Sequence, residues 1–242
     1  MKNINKPLIM NQVKEDLLDA FMQLIDQERL IEQAKINLGM HTDFNLFDSF
    51  KIFDVMGKGS ITLAELYNGM VNQLGMVPSQ DEIELFFYRY DKDKDGRLRF
   101  TEFCEAFVPL DQNYAHMINS RQSNHRSGSY VSANPEHVFI PLTLLDFKEL
   151  WRTHFRVEIM AEDLRHRLEA NPLFSLVHAF EVCDLNNSGE VTVNELRHLI
   201  QSRGLMISDK EALSLLDKFD KGKRGSVTKA EFLQELVPRS SP

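Results

Sequence analysis

The sequence predicts an all-α protein built from two tandem pairs of helix–loop–helix units, each pair preceded by a long amphipathic helix and the two joined by a polar linker. Three observations carry that reading. The chain repeats itself at an offset of about 130 residues. Its long segments place apolar residues three and four apart, the helical period. Four 12-residue windows begin with Asp, carry Gly sixth and end with Glu, at residues 54–65, 91–102, 184–195 and 220–231.

The repeat fixes the organisation. At an offset of 130, Glu28, Glu32, Phe44, Phe50, Asp54, Gly59 and Glu65 fall on Glu158, Glu162, Phe174, Phe180, Asp184, Gly189 and Glu195. After one deletion, an offset of 129 carries Gly75, Ser79, Asp91, Glu102 and Pro109 onto Gly204, Ser208, Asp220, Glu231 and Pro238. The expected domains are therefore 1–110, a linker at 111–139, and 140–242.

Each element has a local cause. Residues 10–38 and 142–170 have the 3.6-residue period of amphipathic helices. Gly75 and Gly204 lie where a helix C-cap would release the chain. Ser79-Gln-Asp-Glu82 and Ser208-Asp-Lys-Glu211 are S-x-x-E capping boxes that start the next helix. Pro109 and Pro238 close the halves. Residues 111–139, rich in Asn, Ser, His and Arg, read as an irregular linker.

The four windows match the frame in which a hard cation takes oxygens from loop positions 1, 3, 5, 7, 9 and 12. The window 91–102 is complete: Asp91, Asp93 and Asp95, the carbonyl of Arg97, and Glu102, with Gly96 at the turn. Arg99 at position 9 cannot ligate and leaves that corner to water. The window 184–195 offers Asp184, Asn186, Ser188, the carbonyl of Glu190, Thr192 and Glu195, with fewer formal charges and so lower expected affinity. In 54–65, Met56 and Lys58 replace two oxygens; in 220–231, Gly222 and Arg224 do. Those two loops are expected to bind no metal but to keep the short ladders, Ile61 with Leu98 and Val191 with Val227. Two Ca²⁺ sites follow, with Mg²⁺ as an alternative occupant of 91–102 at rest.

Composition narrows the remainder. The net charge is −8, with −7 in residues 1–120 and −1 in 121–242, which argues against general affinity for nucleic acid or anionic membrane. Cys104 and Cys183 imply no disulfide framework and read as apolar filler in a reducing compartment. The N-terminus has no apolar signal core and no segment reaches membrane-span length, so a soluble, cytoplasmic protein is expected. No nucleophile, phosphate-loop or dinucleotide motif occurs, so neither catalysis nor a small-molecule substrate is expected. Phe44, Phe47, Phe50, Phe53, Phe86, Phe87, Phe103 and Phe107 read as the aromatic core of the first pair. Trp151, with Leu145, Leu150 and Phe155, is expected to fill the groove of the second pair or to face an external partner.

The windows 91–102 and 184–195 identify the chain as a member of the EF-hand superfamily, similar to calmodulin-like proteins. The spacings, 37 residues from Asp54 to Asp91 and 36 from Asp184 to Asp220, match paired hands. It departs from calmodulin in its leading helices, its polar linker, its two altered loops and a last helix without Met. The architecture, with Tyr88-Arg-Tyr-Asp and the Glu-Leu-Val-Pro-Arg-Ser end, also resembles EF-hand proteins of ciliary and flagellar axonemes. That resemblance implies a Ca²⁺-binding component of the axoneme, held against tubulin or doublet microtubules. The alternatives are a Ca²⁺ sensor or an enzyme's regulatory subunit that binds a target helix.

Overall fold

The computed structural model describes residues 6–122 and 134–240; residues 123–133 of the expected linker lie outside them. The described chain is helical apart from two short ladders. In order come α1 (Lys6–Gly39), α2 (Leu46–Lys51), β1 (Ser60–Thr62), α3 (Leu63–Leu74), α4 (Gln80–Tyr90), β2 (Arg97–Arg99) and α5 (Phe100–Phe107). Two short helices follow, α6 (Gln112–Asn119) and α7 (Pro135–Val138). The second half repeats the pattern with α8 (Pro141–Ala170), α9 (Leu176–Cys183), β3 (Glu190–Thr192), α10 (Val193–Gln201), α11 (Asp209–Phe219), β4 (Ser226–Thr228) and α12 (Lys229–Leu236).

The local signals act as expected. Ser79 and Ser208 are N-caps with reciprocal glutamate bonds, and Gly75 is a left-handed C-cap at φ 63°. Helix α10 instead ends at Ser202, so Gly204 serves the turn beyond it. The antiparallel ladders put Ile61 opposite Leu98 and Val191 opposite Val227. The linker departs from expectation. Asp111 caps α6, and Ile118 of that helix is buried, so this stretch folds instead of staying irregular.

The domain division is also redrawn. One compact unit takes in Leu30–Ile159, the other Met1–Arg29 together with Met160–Pro242. Each leading helix is thus split, its first part serving the pair from the opposite half of the sequence. In the 30–159 unit, Phe147, Leu150, Trp151 and Phe155 of α8 join the core of the first pair. Trp151 lies 5.4 Å from Phe53, 4.9 Å from Phe86 and 5.2 Å from Phe107, centroid to centroid. The expectation that it fills the second pair is therefore corrected. The second unit places Phe21 of α1 in the equivalent position, 5.9 Å from Phe219 and 6.5 Å from Phe232.

Charge pairs repeat the same arrangement. Glu158 of α8 is fully buried and accepts from Arg89 at 2.7 Å in one unit. Its repeat partner Glu28 of α1 faces Lys218 at 3.5 Å in the other. A buried carboxylate left without a cation is costly, so these pairs select which helix segment can fill each groove. His154, one turn before Glu158, is fully buried between the Tyr90 hydroxyl, 3.2 Å away, and the Ala106 carbonyl, 2.8 Å away.

Candidate metal centres

All four loops share one backbone. The sixth residue has φ between 76° and 84°, supplied by Gly59, Gly96, Gly189 and Gly225. The fourth is also left-handed, at Gly57, Lys94, Asn187 and Lys223. Such conformations strain a side-chain-bearing residue, so glycine at the sixth position follows from sterics.

The first Asp of each loop ties the turn together from within. Asp54 accepts the amides of Lys58 and Gly59, at 2.8 and 2.7 Å. Asp91 takes those of Asp95 and Gly96, and Asp184 those of Ser188 and Gly189. Asp220 accepts Gly225 at 2.7 Å. The twelfth residue closes the other end: Glu65, Glu195 and Glu231 each accept both amide and hydroxyl of a Thr three residues earlier. Glu102 accepts the amides of Arg99 and Lys92, at 2.9 and 3.0 Å. Asp and Glu therefore persist in loops 54–65 and 220–231 because they hold the turn and cap a helix.

The loops differ in what lies between those ends. In 91–102, carboxylate oxygens of Asp91, Asp93 and Asp95 lie within 4.8 Å of one another. That cluster of hard oxygens fits Ca²⁺. Arg99 does more than the sequence implies. Its guanidinium pairs with Asp93 and, at 2.5 Å, with Asp95, so an internal cation neutralises two of the donors. In 184–195, Asp184 and Asn186 both accept the Ser188 amide at 2.8 Å, which brings the first three donors together. The Ser188 hydroxyl donates to the Glu190 carbonyl at 2.9 Å.

In the two altered loops the fifth residue reaches the twelfth. Lys58 Nζ lies 3.3 Å from Glu65, and the Arg224 guanidinium pairs with Glu231. The Thr62 amide above all, aided by its hydroxyl and Lys58, holds the Glu65 carboxyl below the usual range. Burial opposes ionisation of Glu231, yet the Thr228 hydroxyl and amide with Arg224 keep its pKa low. These loops carry a cation of their own where the other two offer oxygens. The signal for this was a basic residue seven positions before Glu in both windows.

The profile of the EF-hand domain pair matches residues 43–108 and 174–236. The chain belongs to the EF-hand family. Calcium-binding protein 7 of Homo sapiens is 34% identical over 80 residues, covering 33% of this chain and 37% of that protein. Probable calcium-binding protein CML17 of Arabidopsis thaliana is 37% identical over 86 residues, 36% of this chain and half of the relative. Cell division control protein 31 of Schizosaccharomyces pombe is 21% identical over 159 residues, 65% of this chain and 78% of its own. The chain spans little more than a third of the length of the calcium-binding protein 7 relatives it matches. As a calmodulin-like EF-hand protein, this chain binds Ca²⁺. Among the described residues, no helix is long and apolar enough to cross a membrane.

Proposed function

We propose that this EF-hand protein is a non-catalytic, Ca²⁺-binding structural component whose two pairs carry their target helices within the chain. The observation behind this reading is the complete burial of Trp151 and Phe21 in the aromatic cores of their units. A groove already filled from within has little apolar surface to offer a target helix, which favours this reading over a sensor that opens.

Asp91, Asp93, Asp95, the Arg97 carbonyl and Glu102 would hold one Ca²⁺. Asp184, Asn186, Ser188, the Glu190 carbonyl and Glu195 would hold the second. Bound Ca²⁺ supplies a divalent cross-link between the start and end of a loop. The chain's part is to position the donors: the left-handed turns fold them inward, and the ladders keep each loop beside its cation-filled neighbour. In 91–102, binding requires Arg99 to leave Asp93 and Asp95. Mg²⁺ is the competing occupant there at rest.

The proposed setting is a cytoskeletal assembly, the ciliary axoneme, with tubulin or its associated proteins as partner. What supports that setting is the likeness of its tandem pairs and linker to axonemal EF-hand proteins. Calorimetric Ca²⁺ titration tests the site assignment: two events are expected, one lost in Glu102→Gln and the other in Glu195→Gln. Dye binding tests the mode of action. A small Ca²⁺-dependent change in fluorescence of a hydrophobic dye is expected, and a large one would restore the sensor. Extraction of the tagged protein with detergent and high salt tests the setting; retention in the axonemal pellet with and without Ca²⁺ is expected.

A further inference from the structure

The two units differ at one place that the repeat makes directly comparable. In the 30–159 unit, the C-terminal end of α1, the start of α2 and the end of α5 enclose Phe44 and Leu46, 0% and 7% exposed. Ile118 of α6 joins their core cluster, beside the rings of Phe107, Phe139 and Phe147 that pack on Phe44. A Cβ on Gly39 would lie 3.0 Å from Ile118 Cδ1, which measures how closely α6 sits on α1. The Arg121 guanidinium then donates to the carbonyls of Gly39, His41 and Phe44, at 2.7 to 3.1 Å, closing the exposed helix end.

The chain enters the equivalent region of the other unit by the same route. Leu110 and Asp111 donate their amides to Glu32, at 2.9 and 3.0 Å. Arg239 and Ser240, their repeat partners, donate theirs to Glu162, at 2.5 and 2.7 Å. Among the described residues, no segment takes the place of α6 from there. A cavity of about 360 Å³ lies at that place, lined by Leu168, Phe174, Leu176, Leu236 and Val237. Phe174 and Leu176 occupy the positions of Phe44 and Leu46, yet are only partly buried. Val177 and Val237 at the rim are 41% and 42% exposed. Glu169, which lines the cavity, stands where Gly39 stands in the repeat and adds a carboxylate beside the α8 carbonyl end.

We propose that this cavity is a docking site for a short amphipathic helix of another protein. The helix would insert an aliphatic side chain as Ile118 does, and set an arginine about one turn later on the α8 end and Glu169. The covered counterpart supplies the template for the occupant: apolar filling against Phe174 and Leu176, and a guanidinium on a helix C-terminus, where cations are favoured. The inference goes beyond the Ca²⁺ reading, since none of these residues lies in a loop assigned to metal.

The test uses a fluorescein-labelled peptide of residues 110–122, the chain's own example of this chemistry, titrated with the 242-residue protein and followed by anisotropy. Saturable binding with Kd below about 100 μM is expected. It should weaken roughly tenfold with Val177→Glu and roughly threefold with Glu169→Lys, both at exposed positions, and with an Ile118→Glu peptide. Circular dichroism melting shows whether each variant folds, and Glu169→Lys alone decides if Val177→Glu does not. No saturation by about 1 mM overturns the proposal. So does binding that neither protein variant weakens, since the peptide would then be exchanging with α6.

Discussion

Arg99 shows how much one side chain can alter a site whose other residues are ideal. It faces Asp93 and Asp95 while half exposed, so each ion pair contributes at most about 1 kcal/mol and is screened by salt. Ca²⁺ must still displace it. Arg99→Gln should therefore tighten Ca²⁺ binding at 91–102 by roughly two- to fivefold at low salt, and less at high salt; calorimetry at two ionic strengths checks both. Trp151 makes a different point. It is fully buried, and among the described residues its indole N–H meets no acceptor. Trp151→Ala should cost about 3–5 kcal/mol in denaturant unfolding. Trp151→Phe should cost less than about 2 kcal/mol, because it also removes an unsatisfied donor.

At the scale of elements, packing outweighs propensity in α3. Gly69 is buried in this helix, and a Cβ there would overlap the Phe53 ring. Helix propensity favours Ala over Gly by about 1 kcal/mol, whereas forcing an aromatic ring aside in a filled core costs about 1–3 kcal/mol. Gly69→Ala should be net destabilising, read as a lower melting temperature. Helix α8 brings a pH dependence with it. Burial, then the nearby charges of Lys35 and Arg89, push the His154 pKa well below its ordinary value, although Ala106 and Glu158 act the other way. The folded protein thus holds His154 neutral while the unfolded chain takes up its proton near pH 6.5. Stability is fully present above that pH and falls below it, by up to about 1.4 kcal/mol per pH unit, until the depressed native pKa is reached. Between pH 7 and 5 the urea midpoint followed by Trp151, the sole tryptophan, should drop, and His154→Gln should flatten that slope.

For the whole molecule, the units are built from residues far apart in sequence. A fragment of residues 30–159 contains α8's Phe147, Trp151 and Phe155 and should fold with a native-like melt. A fragment of residues 1–110, the division suggested by the repeat alone, lacks them and should expose its aromatic groove. Dye binding that is high for 1–110 and low for 30–159 is the expected result; the reverse would favour the sequential domains. The thiols, Cys183 buried and Cys104 half-buried, agree with a packing role. Burial raises the Cys104 pKa to about 12 and pushes Cys183 up as well, which keeps both largely unreactive near neutral pH.

The sequence by itself determined what is local. Loop turns, capping boxes and the donor types of 91–102 and 184–195 depend on residues within a dozen positions of one another. Backbone sterics and short-range hydrogen bonds decide them, and the repeat doubles each signal. The tertiary structure alone decided which pair each leading helix fills. Amphipathic spacing shows that α1 and α8 bury a stripe, but not against what. Glu28 and Glu158 are legible as repeat partners, whereas their cations Lys218 and Arg89 are distant and meet them only in the folded chain. The same limit hid α6: Tyr114, Ala115, Met117 and Ile118 read as scattered apolar residues in a polar stretch until Gly39 leaves room for Ile118. Arg99 lies between these cases, since its charge is plain in the sequence and its placement over two ligands depends on the folded loop.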